Sequence, residues 1–78
     1  MNDTLISLFA ECLNVAPESL SEDSSPDNIS EWDSLAAMSL VAAIEERYAV
    51  RLSTRDIMSM RTIGIARSVL KGKGVPGI

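Results

Sequence analysis

Apolar residues recur at spacings of three and four in two separate stretches, and this pattern restricts the possible folds more than any other feature. Leu5, Leu8, Phe9, Cys12 and Leu13 form one set, and Ala37, Leu40, Val41, Ile44 and Tyr48 form the other. Such spacing puts each set on one face of an α-helix, whereas a half-buried strand needs strict alternation. Aromatic residues make up 4% of the chain and apolar residues 46%, a balance that favours aliphatic helix packing over a sheet sandwich. With 78 residues, the chain makes one small domain that buries about 60–65% of its unfolded surface, so its stability is modest.

The ends of the helices can be read as well. Asn2 or Asp3 can cap the first helix through a side-chain oxygen, and Pro17 should stop it. Residues 16–33 read as a long loop rich in turn formers (Ser19, Ser21, Ser24, Ser25, Pro26, Asp27, Asn28), with Leu20 and Ile29 as its apolar pins. The acids among these serines lack the glycine and ligand spacing of an EF-hand, so the loop reads as solvated. A second helix should begin at Ser34 behind Asp33 as N-cap. Beside its core stripe lies a second stripe of Leu35, Met38 and Ala42, which leaves an apolar patch for a partner. Ser53-Thr54-Arg55-Asp56 resembles a capping box that opens a short third helix ending near Met58. Thr62 can begin a fourth, with Ile63, Ala66 and Val69 or Leu70 inward and Arg67, Lys71 and Lys73 towards its end. The architecture expected is all-α: a small four-helix bundle of three main helices and one short one, with a long first loop. It forms a single domain over 1–78 with an ordered core of about 3–71. Gly72, Gly74, Pro76 and Gly77 predict a flexible tail over 72–78.

The chemical inventory excludes several functions. There is no His, the usual general base, and the single Cys12 permits neither an internal disulfide nor a thiolate metal cluster. Cys12 reads as a small buried hydrophobe. No metal site is expected and no catalytic residue is assigned. The N-terminus lacks a basic segment followed by a long apolar run, and no apolar stretch approaches a membrane span, so a cytoplasmic location is expected. Charge is segregated: residues 1–33 hold eight acids and no Lys or Arg, while residues 34–78 hold three acids and all seven basic residues. Acidic surface near the middle of the chain disfavours nucleic acid and favours partners with basic patches.

One tripeptide stands out on physical grounds. In Asp33-Ser34-Leu35 a serine hydroxyl sits at the first helical position, beside free N–H groups and the positive end of the helix dipole. A phosphate ester is well tolerated there. By itself, a serine at a helix start is more often only a cap.

From about Leu5 to Leu70 the sequence resembles the acyl carrier protein family. Asp33-Ser34-Leu35 falls where that family has the Asp-Ser-Leu that receives 4′-phosphopantetheine. Met38, Leu40, Val41, Ala43, Ile44, Glu45, Glu46, Tyr48, Val50 and Leu52 follow the family spacing without a gap, and Leu13, Val15, Glu18 and Leu20 fall in register upstream. The resemblance implies a carrier, not an enzyme. A phosphopantetheinyl transferase would attach the arm from coenzyme A to Ser34, and the arm would hold acyl intermediates as thioesters. It implies recognition roles for Asp33, Leu35, Met38, Glu45 and Glu46, and candidate acyl-pocket walls in Leu40, Val41, Ile44 and Ile63. The implied partners are acyl-loading, ketosynthase or acyltransferase enzymes with basic docking patches, met by a monomer, in fatty-acid, polyketide or another specialised biosynthesis. Ala36 and Ser39 stand where the family is usually acidic, and Arg47, Arg51 and Arg55 add positive charge. These departures point to a specialised member and not the housekeeping carrier. The alternative is a carrier-like docking or scaffold domain that is never modified. Trp32, where the family has a small residue, reads as a half-buried loop anchor before it reads as a contact for the arm or a partner.

Overall fold

The computed structural model describes residues 3–78. Its order is α1 (Thr4–Leu13), a 3-10 turn (Pro17–Ser19), α2 (Ser34–Tyr48), α3 (Thr54–Ser59) and α4 (Ile63–Gly72), with no strand among the described residues. The all-α bundle of three longer helices and one short one is therefore the observed fold. None of its helices is long and apolar enough to cross a membrane.

Local chemistry sets each helix start. Asp3 caps α1 by accepting from the N–H groups of Leu5 and Ile6, both at 3.1 Å; the other candidate cap, Asn2, lies outside the described residues. Ser53 and Asp56 form the reciprocal capping box of α3, and Thr62 caps α4 through the Ile65 N–H. The helix ends are less conventional. Asn14 and Ala49 close α1 and α2 in left-handed geometry with φ of 58° and 53°. Glycine usually fills that position, so Ala49 sits there at a steric cost.

The core runs through all the longer helices. Leu5, Phe9, Ile44, Ile63 and Leu70 are fully buried, joined by Leu8, Leu13, Leu40 and Ala66. Thr4 at the start of α1 hydrogen-bonds Tyr48 at the end of α2 (3.3 Å), while Phe9 meets Trp32 just ahead of α2, so the two helices run antiparallel. The long loop is tied to the bundle by backbone. Carbonyls of Ser24 and Glu22 accept from the first-turn N–H groups of Ile63 and Gly64 at 3.2 and 2.9 Å, which satisfies donors that a helix start leaves free. Gly64 suits this approach, since a Cβ there would stand 3.2 Å from the Glu22 carbonyl oxygen. Leu20 is buried and Ile29 partly so, as their role of pins requires.

Arg67 locks the remaining pieces together. Its Nε and Nη2 donate to the two oxygens of Glu22, both at 2.9 Å. Nη2 also reaches Asp3 at 2.6 Å, and Nη1 donates to the main-chain oxygen of Ile78 at 2.9 Å. The glycines predict a loose tail; in the structure Val75 and Ile78 rest against the core, and the Val75 N–H donates to the Leu70 carbonyl. Two apolar residues among the glycines give that tail something to bury.

Candidate functional site

The site is built where the loop turns into α2. Asp33 holds extended backbone geometry, and its Oδ1 accepts the Ala36 N–H at 2.9 Å while its carbonyl accepts that of Ala37. Ser34 follows as the first helical residue and is exposed. Among the described residues, its hydroxyl and the N–H groups of Ser34 and Leu35 have no protein partner. The first turn itself carries no acidic side chain, and the capping carboxylate of Asp33 offsets only part of the positive end of the α2 dipole. The serine is thus accessible, not occupied as a cap, and set beside donors suited to an anion.

Trp32, two residues upstream, anchors this geometry. It is 6% exposed, more deeply buried than its sequence context predicts, and meets Phe9 edge-on with ring centroids 5.3 Å apart at 65°. Such a pair adds about 0.5–1.5 kcal/mol to the burial of the two rings. The Trp32 N–H donates to the Ile29 carbonyl at 3.0 Å, which closes the turn leading into Asp33.

Outside the serine lies the apolar surface that the second stripe predicts. Leu35 is 77% exposed and Met38 71%, and α3 adds Met58 at 72% and Ile57 at 41%. Between α2 and α3 runs an open cleft of about 270 Å³ lined by Ala37, Met38, Val41 and Ile57. Large exposed apolar groups on neighbouring elements are uncommon on a surface without a binding role.

Residues 3–64 match the family model described as the phosphopantetheine attachment site. The chain is 31% identical over 64 residues to an acyl carrier protein of Chlamydia muridarum, covering 82% of this chain and 83% of the relative. It is 29% identical over 73 residues to an acyl carrier protein of Renibacterium salmoninarum, covering 88% and 90%. The chain belongs to the acyl carrier protein family. The family's group is a covalently attached 4′-phosphopantetheine. The start of α2 fits it: an unengaged exposed hydroxyl, two free helix N–H donors and an adjacent apolar cleft meet the needs of a phosphodiester followed by a flexible chain.

The structure sorts the other residues singled out by sequence. Asp33, Leu35 and Met38 lie around Ser34, and Glu46 is exposed further along α2. Glu45 is half-buried and accepts the Leu52 N–H at 2.9 Å through Oε2, so it also holds the turn between α2 and α3. Of the pocket candidates, Leu40 and Val41 line a small cavity behind the cleft, whereas Ile44 and Ile63 are fully buried in the core. Ile57 and Met60 join the lining of that cavity without a sequence signal, because the six residues of α3 show too little period and Met60 lies just past its end. Cys12 is half-buried, and burial together with neighbouring Glu11 raises its thiol pKa. That keeps the thiol protonated and unreactive at neutral pH.

Proposed function

We propose that Ser34 is the attachment point of the phosphopantetheine arm, and that the protein carries acyl groups on that arm between enzymes of a specialised biosynthetic pathway. The observation that supports this most is the exposed, unengaged Ser34 hydroxyl at the first position of α2, within the stretch matched by the attachment-site family. Attachment forms a bond from Ser34 Oγ to the phosphorus of coenzyme A's pantetheine phosphate and breaks the diphosphate linkage, releasing the nucleotide. The hydroxyl proton leaves to a base on the transferase. When attached, the arm supplies a terminal thiol for thioester linkage.

The chain's own residues then act as positioner and docking surface. Asp33 holds the first turn, so Ser34 is presented from a rigid helix end. Leu35, Met38 and Met58 offer apolar contact to partner enzymes, with exposed Glu46 available to a basic patch. Small apolar contacts steered by charge give the brief complexes that a shuttling carrier needs. Exposed Arg51 and Arg55 border the same region, which supports partners different from those of a housekeeping carrier. The function is tested by incubating the protein with coenzyme A and a broad-specificity phosphopantetheinyl transferase, then mapping peptides by mass spectrometry. Addition of one phosphopantetheine on the peptide containing Ser34 is the expected result. Addition on another peptide overturns the assignment to Ser34, and none on a folded protein leaves an unmodified docking domain as the function.

A further inference from the structure

Around α3 the chain is basic, and nothing in the fold neutralises it. Arg51 precedes the helix, Arg55 lies on it and Arg61 follows it, and all three are exposed. Among the described residues none of them takes part in an ion pair, whereas Arg67 and Lys73 do. The one acid between Val50 and Arg61 is Asp56, and Lys73 holds it at 2.8 Å. That contact turns Asp56 towards α4, while Ile57 faces α2 across the cleft from Met38. Arg55 and Met58 stand three residues apart on the helix, so they share the face that neither neighbour covers, and Met58 is exposed there.

The opposite bank of the cleft is neutral. Residues 34–44 carry no charge, and Leu35 and Met38 are exposed on that stretch. The acids of α2 sit towards its ends. Asp33 caps the start, Glu45 is tied to the Leu52 N–H, and Glu46 with Arg47 lines a separate groove against Leu8 of α1.

We infer that the surface of Met38, Ile57 and Met58, rimmed by Arg51, Arg55 and Arg61, docks on an enzyme whose apolar socket is edged with carboxylates. The inference rests on the reading of the chain as a carrier that visits enzymes, and it reverses the basic docking patch that the family resemblance implies. A basic patch meets like charge along α3, which lowers affinity and slows encounter, whereas carboxylates favour both. Two exposed methionines give the contact an adaptable apolar centre. The net charge of the chain is −4, and the loop before Ser34 exposes Asp23, Asp27 and Glu31. Those acids repel an extended anionic surface such as a bilayer or a polynucleotide, so the match is to a partner of local complementarity.

The test titrates the isotope-labelled full chain with two helical peptides of about 15 residues. Each has one leucine stripe, flanked by glutamates in one peptide and by lysines in the other. The glutamate peptide should shift the amide resonances of Met38, Arg51, Arg55 and Met58, and the lysine peptide should shift those of the acidic loop instead. Arg55→Glu should weaken the glutamate peptide about threefold, and reversal of Arg51, Arg55 and Arg61 together about thirtyfold. Raising salt from about 0.1 to 1 M, where the Debye length falls from about 10 to 3 Å, should weaken wild-type binding about tenfold. Replacing the same arginines by Gln removes the charge without adding an acid, and serves if the triple reversal does not fold. The titration needs no arm, so it is repeated on Ser34→Ala and should give the same shifts. Failure of loading at Ser34 thus overturns the attachment reading alone, and failure of the glutamate peptide to shift α3 overturns this inference alone. Equal shifts of α3 by both peptides, or folded arginine variants that bind as the wild type does, would also overturn it. So would tighter binding to phosphatidylglycerol vesicles, which assigns the face to lipid, or self-association abolished by the arginine variants, which assigns it to a second copy.

Discussion

Replacing Arg67 by Met should cost about 2 kcal/mol of stability, a value set by how exposed its partners are. The Arg67 side chain is 14% exposed, but Asp3 and Glu22 are 39% and 52% exposed. Breaking a fully buried ion pair costs about 3–5 kcal/mol, because the abandoned charge cannot hydrate. Here both carboxylates can take up water, and Asp3 keeps the N–H groups of Leu5 and Ile6. Each pair is therefore closer to the upper surface value of about 1 kcal/mol. The neutral bond to the Ile78 main-chain oxygen adds about 1 kcal/mol, and the methionine stem keeps part of the arginine's packing, which lowers the sum. In a domain of this size about 2 kcal/mol is a fall of roughly 8–16 °C in Tm. Arg67→Lys should recover less than half, since an ammonium cannot span the two oxygens of Glu22 as the guanidinium does. Urea unfolding followed by circular dichroism gives the values, and in 1 M salt, where the Debye length is about 3 Å, the difference should shrink. A loss under about 0.5 kcal/mol, or a lysine variant as stable as the wild type, would refute the reasoning.

Three further outcomes follow from particular contacts. Ala49→Gly should stabilise the fold by about 0.5–1 kcal/mol in urea unfolding, because glycine takes the left-handed φ of 53° without a Cβ clash. Phe9→Ala, at a fully buried ring that also supports Trp32, should cost about 3–5 kcal/mol, read from the same unfolding curves. Lys73, 2.8 Å from Asp56, and then the Ser53 N–H hold the Asp56 carboxyl at about 2, below its ordinary 3.8. The folded state then binds fewer protons than the unfolded one, so this contribution is complete above pH 3.8 and is lost as pH falls through about 2. Asp56→Asn should flatten that part of the acid-unfolding profile.

Much of the fold is local chemistry and was readable on that account. Asp33 as the cap of α2, the Ser53 and Asp56 box and Thr62 before α4 act within three residues of their partners, so a sequence window contains the whole interaction. The helix faces of Leu5, Phe9, Leu40 and Ile44 follow from period alone. Contacts across the chain were not readable. Arg67 finds Asp3 across 64 positions and Glu22 across 45, and nothing near Arg67 distinguishes it from the solvated Arg47 or Arg61. Burial of Trp32 depends on Phe9 arriving from α1, and the engagement of Glu45 depends on the chain turning back to offer the Leu52 N–H. At the site, the place of Ser34 at the start of α2 was legible because Asp33 caps that helix from the neighbouring position; the cleft was not, because it exists only where α3 packs beside α2.

The most direct measurement of the central claim is the intact mass of wild type and Ser34→Ala after the same reaction with coenzyme A and a phosphopantetheinyl transferase, with circular dichroism run on both. The account predicts that the wild type gains one phosphopantetheine, and that the variant gains none while keeping the same helical spectrum. A folded Ser34→Ala protein that still takes up the arm would contradict it.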